Sequence, residues 1–384
     1  VTADSIANFF VICQPGLESA LSDEIREVWP WLLAEDARAH AEPQPELKML
    51  VGGVDFQASV HLGLQLNFFL RLASRILLRL SEFKAKDFTR LYQKLERVHL
   101  ASTVGQAPFM LHIAASQSKL NNEKRILKVI QDRWAQQVVP SAPQALYVRA
   151  FDDQFTVSVD TSGRHLHFRN SEATPKSIGE APLRETLAAF ALRNLQGTVS
   201  LGELQTVTLW DPMAGSGSFL WEAFHGLAGN WQREYSFQNF TLTKKLWRSS
   251  LIQGNYQNVL RTASSHFGNL VASDVQTHLL QKQKDLPFSV HQADIRNRDF
   301  RPPGRRLWIL ANPPYNQRLQ LGFSIQTLGE EMALKKAERV SVILPPHLIN
   351  DWFAGYRGVQ SQAQVLGRFP FRNGGLPVEQ ILVS

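Results

Sequence analysis

Cysteine is almost missing from this chain. Cys13 is the only one in 384 residues, which excludes an intramolecular disulfide and any thiolate zinc site and fits a reducing compartment. No run of about 18 apolar residues, enough to span a bilayer, occurs. The opening VTADSIANFF has neither the basic start nor the apolar stretch of a secretion signal. These absences predict a soluble, cytoplasmic protein. No His/Cys/Asp cluster has metal-ligand spacing, so no metal is expected, and His165 and His167 read as strand residues. Internal repeats, low-complexity tracts and a Walker loop are also lacking.

What is present suits a packed globular protein: 44% of residues are hydrophobic and 20% charged. The length exceeds one ordinary core, so two or three domains are expected. The net charge of +7 is unevenly spread. Residues 1–60 hold 3 Lys/Arg against 10 Asp/Glu, whereas residues 61–133 hold 13 against 5. A local basic surplus suits a polyanion, because phosphate contacts release counterions; a solvated basic face is the plainer alternative.

The strand FFVIC, a Pro-Gly turn and an amphipathic helix through Trp29 open a small α+β region, continued by LKMLVGGVDF after an acidic connection. From His61 to about Val98, apolar residues recur at helical spacing. Arg71, Arg75 and Arg79 stand four apart, which predicts one basic helical face. A second helix over FKAKDFTRLYQKL would extend it with Lys84, Lys86, Arg90 and Lys94, and NNEKRILKVIQDRWAQQVV contributes Arg125 and Lys128. Around residue 170 the character changes to the alternating strands and helices of a doubly wound sheet, so a domain boundary is placed there.

In this second part, TVTLWDPMAGSGSFLWEAF reads as a buried strand ending at Asp211 and a helix starting after Gly217. Gly215 and Gly217 permit a tight turn and close approach of a ligand, and the helix start offers free N–H groups to a carboxylate such as that of methionine. Leu220 stands where a dinucleotide fingerprint would need its third glycine. A bare G-x-G is equally compatible with a structural turn. Two further strands, NLVASD and PFSVHQAD, place Asp274 and Asp294 at carboxyl ends, where open α/β sheets bind ligands. Asp274 could accept ribose hydroxyls and Asp294 an adenine amine, with helix capping the alternative for either.

The strand RRLWILANPPY carries Asn312-Pro313-Pro314-Tyr315 at its end. The lone pair of an exocyclic base amine is delocalised into the ring, so a catalyst must orient it toward an electrophilic methyl group. Acceptors on the two N–H groups achieve this: the Asn312 side-chain carbonyl and the Pro313 main-chain carbonyl, held by the prolines. Tyr315 supplies a stacking face for a base taken out of its stack.

Together with GGVDF, NFFLRLASRILLRLSEFKAKDFTRLY, GEAPLRETLAAFAL, ASDVQ, NPPYNQRL and FRNGGLPVEQILV, these motifs resemble the THUMP-domain RNA methyltransferases, and most closely the bacterial family that methylates guanine N2 in 23S ribosomal RNA. The resemblance spans nearly the whole chain. It implies an α/β architecture: a ferredoxin-like region over 1–60, an RNA-binding THUMP domain over 61–169 and a Rossmann-like methyltransferase domain over 170–384. S-adenosylmethionine would be the cofactor and RNA, 23S rRNA or a ribosome assembly intermediate, the partner. Asp211, Pro212, Ala214, Gly215, Ser216 and Gly217 would border the methionine part, Asp274 the ribose and Asp294 the adenine. Asn312 to Tyr315 would hold the target base, while Pro182, Leu183 and Thr186 would help to close the cofactor pocket. The chain departs from the family at Ala214, Ser218 and Asn316, where Cys, Thr and Gly are common. Because the sequence stops at its final antiparallel strand, one active site is expected. Transfer-RNA guanine and adenine N6 remain as alternative targets, and a non-catalytic RNA-binding factor as an alternative of another class.

Overall fold

In a computed structural model the described residues are 5–35, 42–98, 100–135, 137–169, 183–197, 199–225, 233–243, 267–283, 285–316, 319–320 and 322–384. The chain divides into two compact units, one holding most of residues 1–166 and the other most of residues 167–384. Residues 233–243 group with the first unit, although by sequence order they fall between two stretches of the second. The Tyr235 hydroxyl donates to the Asn67 carbonyl at 3.1 Å, and the Phe237 N–H donates to the Thr161 carbonyl at the same distance.

The first unit runs β1 (Ile6–Ile12), α1 (Glu18–Glu35), β2 (Lys48–Leu50), β3 (Gly53–Ser59), α2 (Val60–Phe69), β4 (Arg75–Lys84), α3 (Phe88–Leu95), α4 (Leu100–Thr103), β5 (Phe109–Ser116), α5 (Glu123–Arg133), β6 (Gln144–Phe151) and β7 (Gln154–Asp160). The strands form one sheet in the order β2-β3-β1-β4-β7-β6-β5, antiparallel except for β5 with β6.

The helix expected to carry Arg71, Arg75 and Arg79 on one face is not there, whereas the second helix expected over FKAKDFTRLYQKL is present in its later part as α3. α2 stops at Phe69, where Leu70 turns extended (φ −76°, ψ 125°), and Arg75 to Lys84 form the central strand β4 between β1 and β7. A four-residue repeat marks one face of a helix and equally one face of a strand, as two pleats. The Leu/Arg composition favours helix, and pairing with two neighbouring strands overrides it. His165 and His167 also fall outside any strand: β7 ends at Asp160, and the Arg233 guanidinium holds the turn beyond it by donating to the His165 carbonyl at 2.8 Å.

The second unit contains α6 (Glu185–Gln196), α7 (Leu201–Leu204), β8 (Val207–Asp211), α8 (Ser218–His225), β9 (Asn269–Asp274), α9 (His278–Gln281), β10 (Ser289–Gln292), β11 (Arg306–Ala311), β12 (Tyr315–Asn316), β13 (Leu319–Gln320), α10 (Ile325–Leu334), β14 (Arg339–Leu344), α11 (Pro346–Val359), β15 (Val365–Asn373) and β16 (Leu376–Val383). Its main sheet is ordered β10-β9-β8-β11-β14-β16-β15, parallel through β14 and closed by the antiparallel hairpin β15-β16. Trp210, Val271, Ile309, Val342, Met332 and Trp352 belong to its buried core. The chain builds outward from β8 to β9 and β10, then returns to add β11 on the other side. This reversal places a crevice at the carboxyl ends of β8 and β11, where such sheets bind ligands.

Candidate functional site

Strand β8 is wholly buried and delivers Asp211 to the sheet edge with its side chain inaccessible. Burial pushes the Asp211 carboxyl well above its ordinary range. The Met213 N–H donating to its Oδ1 at 3.1 Å opposes this, and nearby Asp274 reinforces it. The next turn needs its glycines. Gly215 (φ +53°) and Gly217 (φ +78°) lie in the left-handed region, and a Cβ on Gly217 would stand 2.9 Å from the Phe288 ring, whereas one on Gly215 would meet nothing within 4 Å. The loop is therefore tight against protein at Gly217 and open at Gly215.

Asp274, at the end of β9, ties this loop to its neighbours. Its Oδ2 accepts from the Gly215 N–H at 2.9 Å, its Oδ1 from the Gln276 N–H at 3.0 Å, and its main-chain carbonyl from the Ala293 N–H at 3.1 Å. A carboxylate has about four acceptor positions, so two remain for a ligand. Ala214 is anchored by its N–H donating to the Ser273 carbonyl at 3.1 Å, and Ser273 Oγ accepts from the buried Trp210 indole at 2.9 Å. Ser216 is buried in the same turn, between the two left-handed glycines. Pro212 comes directly after Asp211 and starts the turn. Leu183 and Thr186 are buried at the start of α6, and the Leu183 carbonyl accepts from Ser218 Oγ at 3.2 Å, which fixes this segment over the first turn of α8. Pro182 lies outside the described residues.

Asp294 stands two residues beyond the end of β10 rather than on the strand. There it forms a turn with Arg296, whose main-chain N–H donates to Oδ1 at 2.8 Å and whose guanidinium grips both oxygens at 3.0 and 2.7 Å. These bonds hold the Asp294 carboxyl below its usual range. The same guanidinium lies 4.6 Å from the Phe323 ring centroid. Neither Arg296 nor Phe323 stands out in the sequence, since nothing in the spacing links residues so far apart.

At the end of β11, Asn312 Oδ1 is buried and finds no hydrogen-bond partner among the described residues. An acceptor without a partner costs free energy that a ligand N–H would recover. Pro313 is buried and Pro314 half-buried, and Tyr315 packs against the core of the sheet. The Tyr315 hydroxyl accepts from Asn373 Nδ2 at 3.0 Å, and burial raises its phenol pKa. Asn373 opens the β15-β16 hairpin, whose two turn residues, Gly374 and Gly375, have φ of +57° and +89°. The Asn-Gly-Gly signal for such a turn is visible in the sequence. That its Asn reaches the tyrosine of a motif 58 residues earlier is not. Among the described residues no group of three or more His, Cys, Asp or Glu could hold a metal ion, and no helix is long and apolar enough to cross a membrane.

The basic residues scatter. Arg75 is internal, its guanidinium committed to the buried Asp160 and to the Gly163 carbonyl, so it is withdrawn from the proposed phosphate face. Arg71 is half-buried, its main-chain N–H donating to Glu24 at 2.9 Å, and Arg79 pairs with Asp55 and Glu82. Lys84, Lys86, Arg125 and Lys128 are exposed; Arg125 lies over the Phe88 ring at 4.3 Å, joining α5 to α3.

A mixed sheet of this order, with a glycine turn after β8, acidic residues at the end of β9 and beyond β10, and N-P-P-Y after β11, is a Rossmann-like fold of the S-adenosylmethionine-binding type. Residues 175–342 match the family described as RMKL-like, methyltransferase domain. Over 341 residues the chain is 26% identical to a ribosomal RNA large subunit methyltransferase K/L of Shewanella frigidimarina, covering 81% of this chain and 44% of that protein. The chain thus spans under half the length of that relative. A Synechocystis protein provisionally assigned as an RNA methyltransferase is 24% identical, with 96% of this chain and 94% of that one aligned. The solved structure of SMU.472 in complex with SAH superposes with a TM-score of 0.71 at 19% identity, covering 98% of this chain and 97% of that one, and so shares the fold. The Shewanella relative upholds the resemblance to ribosomal RNA methyltransferases drawn from the motifs, and the solved structure supports the fold alone.

Proposed function

We propose that the chain is an S-adenosylmethionine-dependent RNA methyltransferase that modifies an exocyclic base amine, guanine N2 of 23S rRNA. The buried Asn312 Oδ1 at the end of β11, without a hydrogen-bond partner among the described residues, carries this reading. The cofactor fits the adjoining strand ends: Gly215 has room for close approach, Asp274 retains acceptor capacity for ribose hydroxyls, and Asp294 stands beyond β10 for the adenine. When bound, it supplies an electrophilic methyl group on sulfur. The chain's own part is orientation. Asn312 Oδ1 and the Pro313 carbonyl accept from the two amine N–H groups, which turns the nitrogen lone pair toward the methyl carbon, and Tyr315, steadied by Asn373, stacks on the base.

In the first unit the connectivity β1-α1-β2-β3-α2-β4, with sheet order β2-β3-β1-β4, supports a ferredoxin-like region. It extends to β4, past residue 60, and leaves α3 to β7 as the THUMP part. Exposed Lys84, Lys86, Arg125 and Lys128 are the phosphate contacts. The test is to incubate the protein with labelled S-adenosylmethionine and unmodified ribosomal RNA, then digest to nucleosides. N2-methylguanosine is the expected product. Label in N6-methyladenosine, or only in transfer RNA, would overturn the target.

A further inference from the structure

The first sheet has an outward face that the strand-end chemistry does not use. Along β6, Leu146, Val148 and Ala150 are buried, while the alternating Tyr147, Arg149 and Phe151 turn the other way, with Phe151 45% exposed. Register carries this face across neighbouring strands: His112 of the edge strand β5 pairs with Tyr147, and Phe151 connects through Gln154 to Lys84. Rings and cations interleave on it. His112 stacks on Tyr147 at 4.7 Å and 22°, and the guanidinium of Arg149 lies 5.9 Å from the Phe151 ring centroid. The acids Asp55 and Glu82 are both engaged by Arg79, and Lys84 and Arg149 make no ion pair among the described residues.

We propose that this face binds a single-stranded segment of RNA, with bases stacking on the His112–Tyr147 pair and on Phe151 and phosphates meeting Lys84 and Arg149. A duplex keeps its bases stacked internally and offers nothing to exposed rings, whereas a single strand presents base faces and phosphates in alternation. A protein partner would be left with unpaired cations and little apolar area. The proposal rests on the RNA reading above, and it adds an aromatic platform beside the basic residues Lys86, Arg125 and Lys128, with Lys84 common to both.

The test uses the full chain and a mixed-sequence RNA of about 12 nucleotides, within the site sizes usual for such platforms. The RNA is single-stranded or annealed to its complement and carries 2-aminopurine, whose fluorescence falls on stacking. The single strand should bind in preference to the duplex and be quenched. Phe151→Ala should weaken it by roughly 5- to 150-fold and abolish the quenching, while Phe151→Trp keeps both. Arg149→Gln should flatten the log–log salt dependence by about 0.7. Equal binding of duplex, or parent-like binding by Phe151→Ala and Arg149→Gln, overturns the proposal and leaves the face to a protein partner. Labelled methyl transfer to ribosomal RNA, run in parallel, separates the two readings. If the parent methylates while both variants bind normally, only the platform fails. A parent that binds neither RNA form and methylates none sinks the RNA reading itself.

Discussion

The chain contains two seven-stranded sheets that put their strands to different use. In the second, parallel β8, β9 and β11 are almost wholly buried, so chemistry can stand only where the strands end: Asp211, Asp274 and Asn312. The first sheet is mostly antiparallel, and one face of β6 alternates outward. There the useful side chains lie along the strands, spread from Lys84 to Phe151. A parallel sheet gathers function into short contiguous motifs, whereas an antiparallel face assembles it from segments remote in the chain.

The sharpest break of this contrast is at the strand ends. Asn312→Ala should slow methyl transfer by roughly 100- to 1,000-fold, the range for losing a preorganised partner, while cofactor and RNA affinity persist. Single-turnover rates on unmodified ribosomal RNA measure this. A near-parental rate would remove Asn312 from the chemistry.

Asp274→Ala comes next. It loses a charged acceptor for the cofactor and the bond that holds the Gly215 N–H, so S-adenosylmethionine affinity should fall about 10- to 100-fold in calorimetry. Unchanged affinity would place the ribose elsewhere. In the first unit, Lys86→Glu with Lys128→Glu should weaken ribosomal RNA binding and flatten its salt dependence by roughly 0.9 per lost phosphate contact. Cofactor affinity should not move, and if it does, the two sheets do not divide their labour as proposed.

Tyr315→Phe should cost less, about 2- to 10-fold in rate, because the ring stays and only the bond from Asn373 is lost. A loss as large as that of Asn312→Ala would give the hydroxyl a role beyond positioning.

The same contrast explains what the sequence revealed. DPMAGSGSF and NPPY are contiguous because one turn builds each part of the crevice, so the succession of strands and the candidate site could be proposed from local sequence. Three features could not. Four-residue spacing of Arg71, Arg75 and Arg79 fits a helix and a strand alike, and only pairing with β1 and β7 decides for the strand at Arg75 and Arg79. The Asn373–Tyr315 bond depends on where a terminal hairpin returns. Residues 233–243 join the first unit through bonds such as Phe237 to Thr161, which no composition shift announces.

The finest test concerns the buried end of β8. Burial, reinforced by Asp274, raises the folded-state pKa of Asp211 well above the 3.8 of an exposed aspartate. Below that ordinary value the acid is protonated in both folded and unfolded chains, and its burial costs nothing in charge. As pH rises, the unfolded chain releases the proton first. Between the two pKa values the folded chain therefore binds more protons, and stability falls with rising pH until the folded pKa is passed. An Asn at this position keeps the oxygen that accepts the Met213 N–H but does not titrate. Urea unfolding of the parent and Asp211→Asn from pH 5 to pH 8 should show the parent losing stability relative to the variant as pH increases. Parallel profiles, or a gap that narrows toward pH 8, would mean that Asp211 is held ionised by a partner. The strand end would then be a charged site before any ligand arrives.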